Sequence, residues 1–211
     1  RNEGLNYFNV SDISSISSAT LSNYDVVILT ETSLTSAQVT TFTNWVNSGG
    51  NLIVMRPDKQ LAGLLGLTDA GSTLSDAYLL VDTSKFPGNG IVNQTIQFHG
   101  VSDRYTLNGG TSIATLYSNA TTQTVNPAVT MRDVGSGKAA AFTFDLARSV
   151  IYTRQGNPDW AGQERDGFSP IRSDDQFYGA ASFDNKPDWV DLNKVAIPQA
   201  DEQQRLLANM I

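Results

Sequence analysis

The chain has 211 residues, of which 40% are hydrophobic, 9% aromatic and 17% charged. This balance suits one folded domain and excludes collagen, coiled coil and a generally disordered chain. Against 14 basic residues stand 21 acidic ones, a net charge of −7 that argues against a nucleic-acid partner held through its phosphates.

Cysteine is absent and His99 is the one histidine. A thiolate metal site, a cysteine nucleophile and any site needing two imidazoles from one chain are therefore excluded. No apolar run reaches the roughly 18 residues of a membrane span, so no membrane insertion is expected. Low charge with abundant Ser, Thr, Asn and Gly points to an exported bacterial protein: secreted, periplasmic or at the cell surface. Three N-x-S/T sequons, at Asn9, Asn93 and Asn119, are what chance gives in so Asn- and Thr-rich a chain. Arg1 is not preceded by a signal peptide, and Leu206–Ile211 stops in mid-helix. The chain thus reads as a fragment of a longer multidomain protein, with the other domains of that parent chain as expected partners.

In chain order, Val26-Val27-Ile28-Leu29 is a continuous aliphatic run, the pattern of a strand covered on both faces in a parallel sheet. Thr35 and Gln38 are spaced as a capping box, and Leu34 with Val39 as a hydrophobic staple. A helix carrying Val39, Phe42, Trp45 and Val46 on its apolar side follows, ended by Gly49-Gly50. Leu52–Met55 is a second buried strand, completing a βαβ unit with a right-handed crossover. Asp58, after Pro57, is placed to cap a helix holding Leu61, Leu64 and Leu65, which Gly66 stops. The loop before that helix lies at the carboxyl end of a parallel strand, where open α/β sheets bind ligands.

Ala77–Val81, Val92–Phe98, Arg104–Leu107, Ile113–Tyr117 and Ala128–Asp133 read as short strands separated by Gly- and Asn-rich turns, with Asn126-Pro127 a further break. They predict an antiparallel or mixed extension of the sheet. Lys138–Phe144 is a buried strand, and Asp145 caps a short helix through Leu146, Val150 and Ile151 that ends near Gly156. Residues 157–190 lack periodicity and read as an irregular loop insertion, of the kind that forms binding loops and lids. Pro198-Gln199-Ala200-Asp201-Glu202 opens a last helix, with acids at its positive end.

Tyr24-Asp25-Val26-Val27-Ile28-Leu29, the helix ending Trp45-Val46-Asn47-Ser48-Gly49-Gly50, and Asn51-Leu52-Ile53-Val54 resemble the class I glutamine amidotransferase-like superfamily. The resemblance is to its group of trehalose-utilisation-like proteins and β-galactosidase trimerisation domains, and Lys138–Phe144 is similar to that group's late strand. It implies a flavodoxin-like three-layer α/β sandwich with a mainly parallel sheet, spanning 1–211 as a single domain. An N-terminal strand usual to that fold falls before residue 1 or on Leu5–Val10. Amidotransferase chemistry does not follow. It needs a cysteine at the turn after a strand and a histidine as its base. The comparable turn here is Met55-Arg56-Pro57-Asp58, and the late strand ends in Phe144-Asp145.

The candidate site residues each carry two readings. Asp58, Lys59 and Gln60 are anion or sugar contacts at a helix N-terminus, or a cap with solvated neighbours. His99 is a general base oriented by Asp103, or part of a hydrogen-bonded turn. Arg148 and Arg154 flank Val150-Ile151, and Arg154, beside the insertion, contacts a ligand carboxylate or phosphate or pins the insertion through an ion pair. Glu164, Asp166, Asp174 and Asp175 bind Ca²⁺, pair with Arg165 and Arg172, or supply the two carboxylates of a glycosidase. Trp160, with Gln163, Glu164 and Arg165, forms a sugar-binding surface or fastens the insertion to the core. No organic cofactor is expected; Ca²⁺ is the one metal these residues suggest. Two functions follow: a non-catalytic module with an interaction or carbohydrate-related binding role, or a hydrolase of a carbohydrate or other substrate using a loop carboxylate/His site.

Overall fold

The computed structural model describes residues 6–164, 169–171 and 200–211. Among them are nine strands: β1 (Val26–Leu29), β2 (Asn51–Met55), β3 (Leu67–Ser75), β4 (Tyr78–Val81), β5 (Ile96–Gln97), β6 (Val101–Leu107), β7 (Thr111–Tyr117), β8 (Gln123–Val134) and β9 (Gly137–Phe142). The α-helices are α1 (Ser18–Leu21), α2 (Ser36–Asn47), α3 (Leu146–Gln155) and α4 (Ala200–Met210). Seven strands form one sheet in the order β1-β2-β9-β8-β7-β4-β5, and β3 pairs with β6 in a separate two-stranded ribbon.

The first part of the chain builds as its sequence predicts. The Thr35 hydroxyl accepts from the Gln38 N–H at 3.3 Å, and the Gln38 side chain accepts from the Thr35 N–H at 2.9 Å, closing the capping box of α2. β1 and β2 pair in parallel, and β2 pairs in parallel with β9. Asp145 caps α3, which ends at Gly156 with φ 77°.

The rest corrects the expected architecture. The sheet is mixed and mostly antiparallel, not the mainly parallel sheet of a flavodoxin-like three-layer sandwich: β9-β8, β8-β7, β7-β4 and β4-β5 are all antiparallel. The departure begins after β2. Asp58 caps a single 3-10 turn, Lys59–Leu61, not a helix long enough to cross the sheet. Gly66, at φ 69°, then turns the chain into β3. From there to β9 the strands follow one another without a crossover helix, so sequential neighbours run antiparallel. The predicted strand Val92–Phe98 is cut to Ile96–Gln97, and β8 runs back through Pro127, where its register with β7 shifts. The predicted insertion at 157–190 lies largely outside the described residues.

The pleat divides the core in two. Leu52, Val54, Ala139 and Ala141 face one side, where they meet Phe42 and Val46 of α2, Leu61, Leu65, and Leu67 and Tyr105 of the ribbon. Ile53, Met55, Ala140 and Phe142 face the other, against Phe98, Phe144, Leu146 and Leu206 of α4. Phe98 stacks on Phe144 at 4.9 Å between ring centroids.

Candidate functional site

The carboxyl ends of β1, β2 and β9 lie side by side. Leaving β2, the chain enters the core on the α2 side; leaving β9, it enters the core on the α3 side. The two departures leave the chain on opposite sides of the sheet at the position where α/β sheets gather their ligands. Each strand end delivers polar side chains to it: Glu31 after β1, Arg56 after β2, and Asp145 and Arg148 after β9. The ribbon delivers Asp103, because the Asp103 N–H bonds the Thr143 carbonyl at 3.0 Å and so ties β6 to the end of β9.

Arg56 is the centre of this group. Its N–H is shared between the carbonyls of Phe142, at 2.8 Å, and Phe144, at 3.1 Å. Those bonds hold its backbone at φ 40°, a conformation that non-glycine residues seldom adopt. The side chain donates from Nε to Asp103 Oδ2 at 3.1 Å and from Nη1 to Glu31 Oε1 at 2.8 Å. Arg148 is held more loosely, at 3.8 Å from Glu31 Oε2 and 3.7 Å from Asp145 Oδ2. Burial works against the Arg56 charge, but the bonds and charges of Asp103 and Glu31 outweigh it and hold the guanidinium above its ordinary value. Three carboxylates thus surround two guanidinium groups on a partly open surface.

The residues singled out from the sequence are placed as follows. Asp58 accepts from the N–H groups of Leu34, at 2.8 Å, and Gln60, at 2.9 Å. Burial resists ionisation there, yet these two donors hold its carboxyl below the usual range. Lys59 pairs with Asp69 at 2.7 Å, and Gln60 donates to the Leu34 carbonyl at 2.8 Å. Together Asp58 and Gln60 join the start of α2 to the turn after β2. His99 and Asp103 do not open onto one surface. The His99 side chain is buried in the core and the backbone N–H of His99 donates to Ser149 Oγ at 3.1 Å, while Asp103 turns to Arg56. Burial pushes the His99 imidazole down to about 3.

Arg154, at the end of α3, bonds Asp201 and Gln204 of α4. Trp160 ends a 3-10 turn and is half-buried, Gln163 donates to the Asp159 carbonyl at 2.7 Å, and Glu164 is exposed. Arg165, Asp166, Arg172, Asp174 and Asp175 lie outside the described residues. Among those described, no group of three or more His, Asp or Glu side chains is placed to hold a metal ion, and no helix is long and apolar enough to cross a membrane. Sequence reasoning passed over Glu31 and gave Arg56 no role. For Arg56 a signal existed, since it occupies the turn directly after a parallel strand. Glu31 offered none.

No protein-family model matches the chain, and no curated protein matches it. The amidotransferase-like resemblance therefore gains no family support. Solved structures similar to it include an exo-β-1,4-mannosidase from Opitutaceae bacterium strain TAV5, at 20% identity and TM-score 0.49, covering 67% of this chain and 24% of that one. A β-galactosidase from Bacillus circulans matches at 12% identity and TM-score 0.47, over 64% of this chain and 23% of that one. A cytoplasmic protein from Salmonella typhimurium matches at 14% identity and TM-score 0.48, over 62% of this chain and 64% of that one. The chain spans about a quarter of the length of the two glycosidases.

Proposed function

We propose that this domain is a non-catalytic module with a carbohydrate-related binding role, and that the polar cluster at the ends of β1, β2 and β9 is its binding surface. The observation that carries the reading is the pairing of Arg56 with both Glu31 and Asp103. A carboxylate bonded to a guanidinium is occupied as an acceptor and is poorly placed to move a proton to or from a substrate. The same planar, fixed groups suit the hydroxyls of a neutral sugar, which both donate and accept. Arg148, loosely held and half-exposed, has donors to offer such a ligand.

A second reading, a hydrolase acting on a carbohydrate, is favoured by the strained backbone of Arg56, since such strain gathers at reaction centres. Its carboxylates would be those of this cluster.

Thermal unfolding against a panel of mono- and oligosaccharides, run beside a hydrolysis assay on chromogenic glycosides, separates the two. The binding reading expects a dose-dependent rise in midpoint, lost in Arg148→Ala, with no turnover. Turnover that disappears in Glu31→Gln or Asp103→Asn would establish the hydrolase instead. Neither a shift nor turnover would remove carbohydrate from the account.

A further inference from the structure

The sequence contains two Asn-Gly pairs, Asn89-Gly90 and Asn108-Gly109. The first sits at the tip of a turn. The Ile91 N–H bonds the Gly88 carbonyl at 3.2 Å, and Gly90 has φ 79° while Asn89 keeps a negative φ, the pattern of a type II turn. Both central residues are exposed. Among the described residues the Asn89 side chain has no hydrogen-bond partner and the Gly90 N–H has no acceptor. A Cβ built on Gly90 would meet nothing within 4 Å, so the peptide between the two residues has room to turn.

Such a pair holds a nucleophile and an amide on adjacent residues, which makes their reaction unimolecular. With no Cβ beside it, the Gly90 nitrogen can approach Asn89 Cγ with little hindrance. The bonds that a turning peptide would break are at the long end of the normal range: Asn209 to the Asn89 carbonyl at 3.1 Å, Arg205 to the Gly90 carbonyl at 3.2 Å, and the turn's own bond. Asn108 is held more closely. Its N–H bonds the Gly66 carbonyl at 2.7 Å, the Gly110 N–H bonds the same oxygen at 3.1 Å, and a Cβ on Gly109 would touch the Arg132 guanidinium at 3.8 Å.

We propose that Asn89 is a site of spontaneous deamidation, and that its isoaspartate product loosens α4. The Gly90 nitrogen bonds to Asn89 Cγ, the Cγ–Nδ2 bond breaks, and Nδ2 leaves as ammonia, taking the Gly90 proton. Water then opens the five-membered imide at one of its two carbonyls, giving aspartate or isoaspartate. Isoaspartate adds one atom to the main chain and leaves a new carboxylate beside it. Asn209 of α4 bonds the Pro87 and Asn89 carbonyls, and Arg205 bonds that of Gly90. Lengthening the chain between them moves Gly90 relative to Pro87, so α4 cannot keep its present bonds to both. The proposal is independent of what the polar cluster at the ends of β1, β2 and β9 binds.

The test incubates the protein in mildly alkaline buffer, folded and in urea. Trypsin then separates Asn89 from Asn108, because it cuts after Lys85, Arg104 and Arg132. Mass spectrometry of the two peptides follows the exchange of amide nitrogen for oxygen, and methyl transfer by an isoaspartyl methyltransferase reports isoaspartate. In the folded protein Asn89 should convert within about tenfold of its rate in urea, and Asn108 at least about tenfold more slowly than Asn89. Asn89→Gln, whose side chain closes only a larger ring, should fold with an unchanged thermal midpoint and lose the signal from its peptide. The converted protein, isolated by anion exchange, should show a lower midpoint and faster amide exchange along α4. Asn89→Asp carries the charge without the extra atom and should leave that exchange nearly unchanged. Folded Asn89 that stays intact, conversion at Asn108 ahead of Asn89, or converted protein whose α4 exchanges no faster than in Asn89→Asp would each overturn the proposal.

Discussion

Arg56 joins three segments through one side chain and one N–H. Replacing it with alanine leaves Asp103, whose side chain is 10% exposed, without its guanidinium partner. The expected loss is about 2–3 kcal/mol, because a mostly buried carboxylate is left without compensation. Arg56→Gly should lose slightly less, since glycine accepts φ 40° without strain. Urea unfolding of the two variants measures both effects. His99 gives a second prediction, with a definite sign. Its imidazole drops from an ordinary 6.5 to about 3 on folding, so between those values the unfolded chain binds the extra proton. Stability from this residue is complete above pH 6.5 and declines as the pH falls, by about 1.4 kcal/mol per unit until about pH 3. Unfolding free energies from pH 7 to pH 5 should fall in the natural protein and stay flatter in His99→Leu. The meeting of Arg56 with Glu31 and Asp103 was not readable along the chain. Arg56, Glu31 and Asp103 are far apart in sequence, and their meeting depends on β6 crossing the end of β9, which no local pattern encodes.

At the scale of elements, legibility followed the strength of the local signal. β1, α2 and β2 were readable because an aliphatic run, a capping box with staple, and a glycine stop all agree. α3 was readable from Asp145 and Gly156. β3 was not, because Leu67–Ser75 is almost wholly exposed on both faces and carries no alternation of apolar residues. The segment after Asp58 looked helical from its leucines, yet its few residues before Gly66 support one 3-10 turn and no more. The packing of α2 against the sheet rests on a close approach at Gly137. A Cβ there would lie 2.1 Å from the Gly50 carbonyl oxygen and 2.4 Å from that of Val46. Both are backbone atoms, and neither can rotate aside. Gly137→Ala is therefore expected to lower the thermal midpoint by roughly 5–10 °C, as forced backbone movement of about 2–3 kcal/mol would in a chain of this size. Gly63→Ala, where nothing lies within 4 Å, is the matched control and should leave the midpoint nearly unchanged.

At the scale of the whole molecule, topology was the least legible property. A parallel start and an antiparallel continuation share the same strand patterns, and what separates them is the missing crossover after β2. The far end of the chain then returns to close the fold. Gln203 of α4 is 2% exposed; its amide donates to the Gln97 carbonyl at 2.8 Å and its oxygen accepts from Ser149 Oγ at 2.8 Å. Ser149 Oγ in turn accepts the His99 N–H, so one polar chain links β5, the turn after it, α3 and α4. On the same helix, Glu202 accepts the Val92 N–H at 2.7 Å and Asn209 donates to the Pro87 carbonyl at 2.7 Å. The bonds from α4 to Gln97, Val92 and Pro87 join residues more than 100 positions apart, and beneath them Leu206 packs into the core. Gln203→Leu would keep the apolar contact but leave the Ser149 hydroxyl and the Gln97 carbonyl buried without that partner. Each orphaned group costs about 1–3 kcal/mol, so the variant should lose about 2–4 kcal/mol, whereas Arg205→Ala on the exposed face should lose under about 1 kcal/mol. Amide hydrogen exchange distinguishes a local from a global consequence. If α4 is part of the cooperative unit, the Val92 and His99 amides will exchange faster together with those of α4 in Gln203→Leu. Faster exchange confined to α4 would show instead that the helix opens alone and that the sheet holds without it.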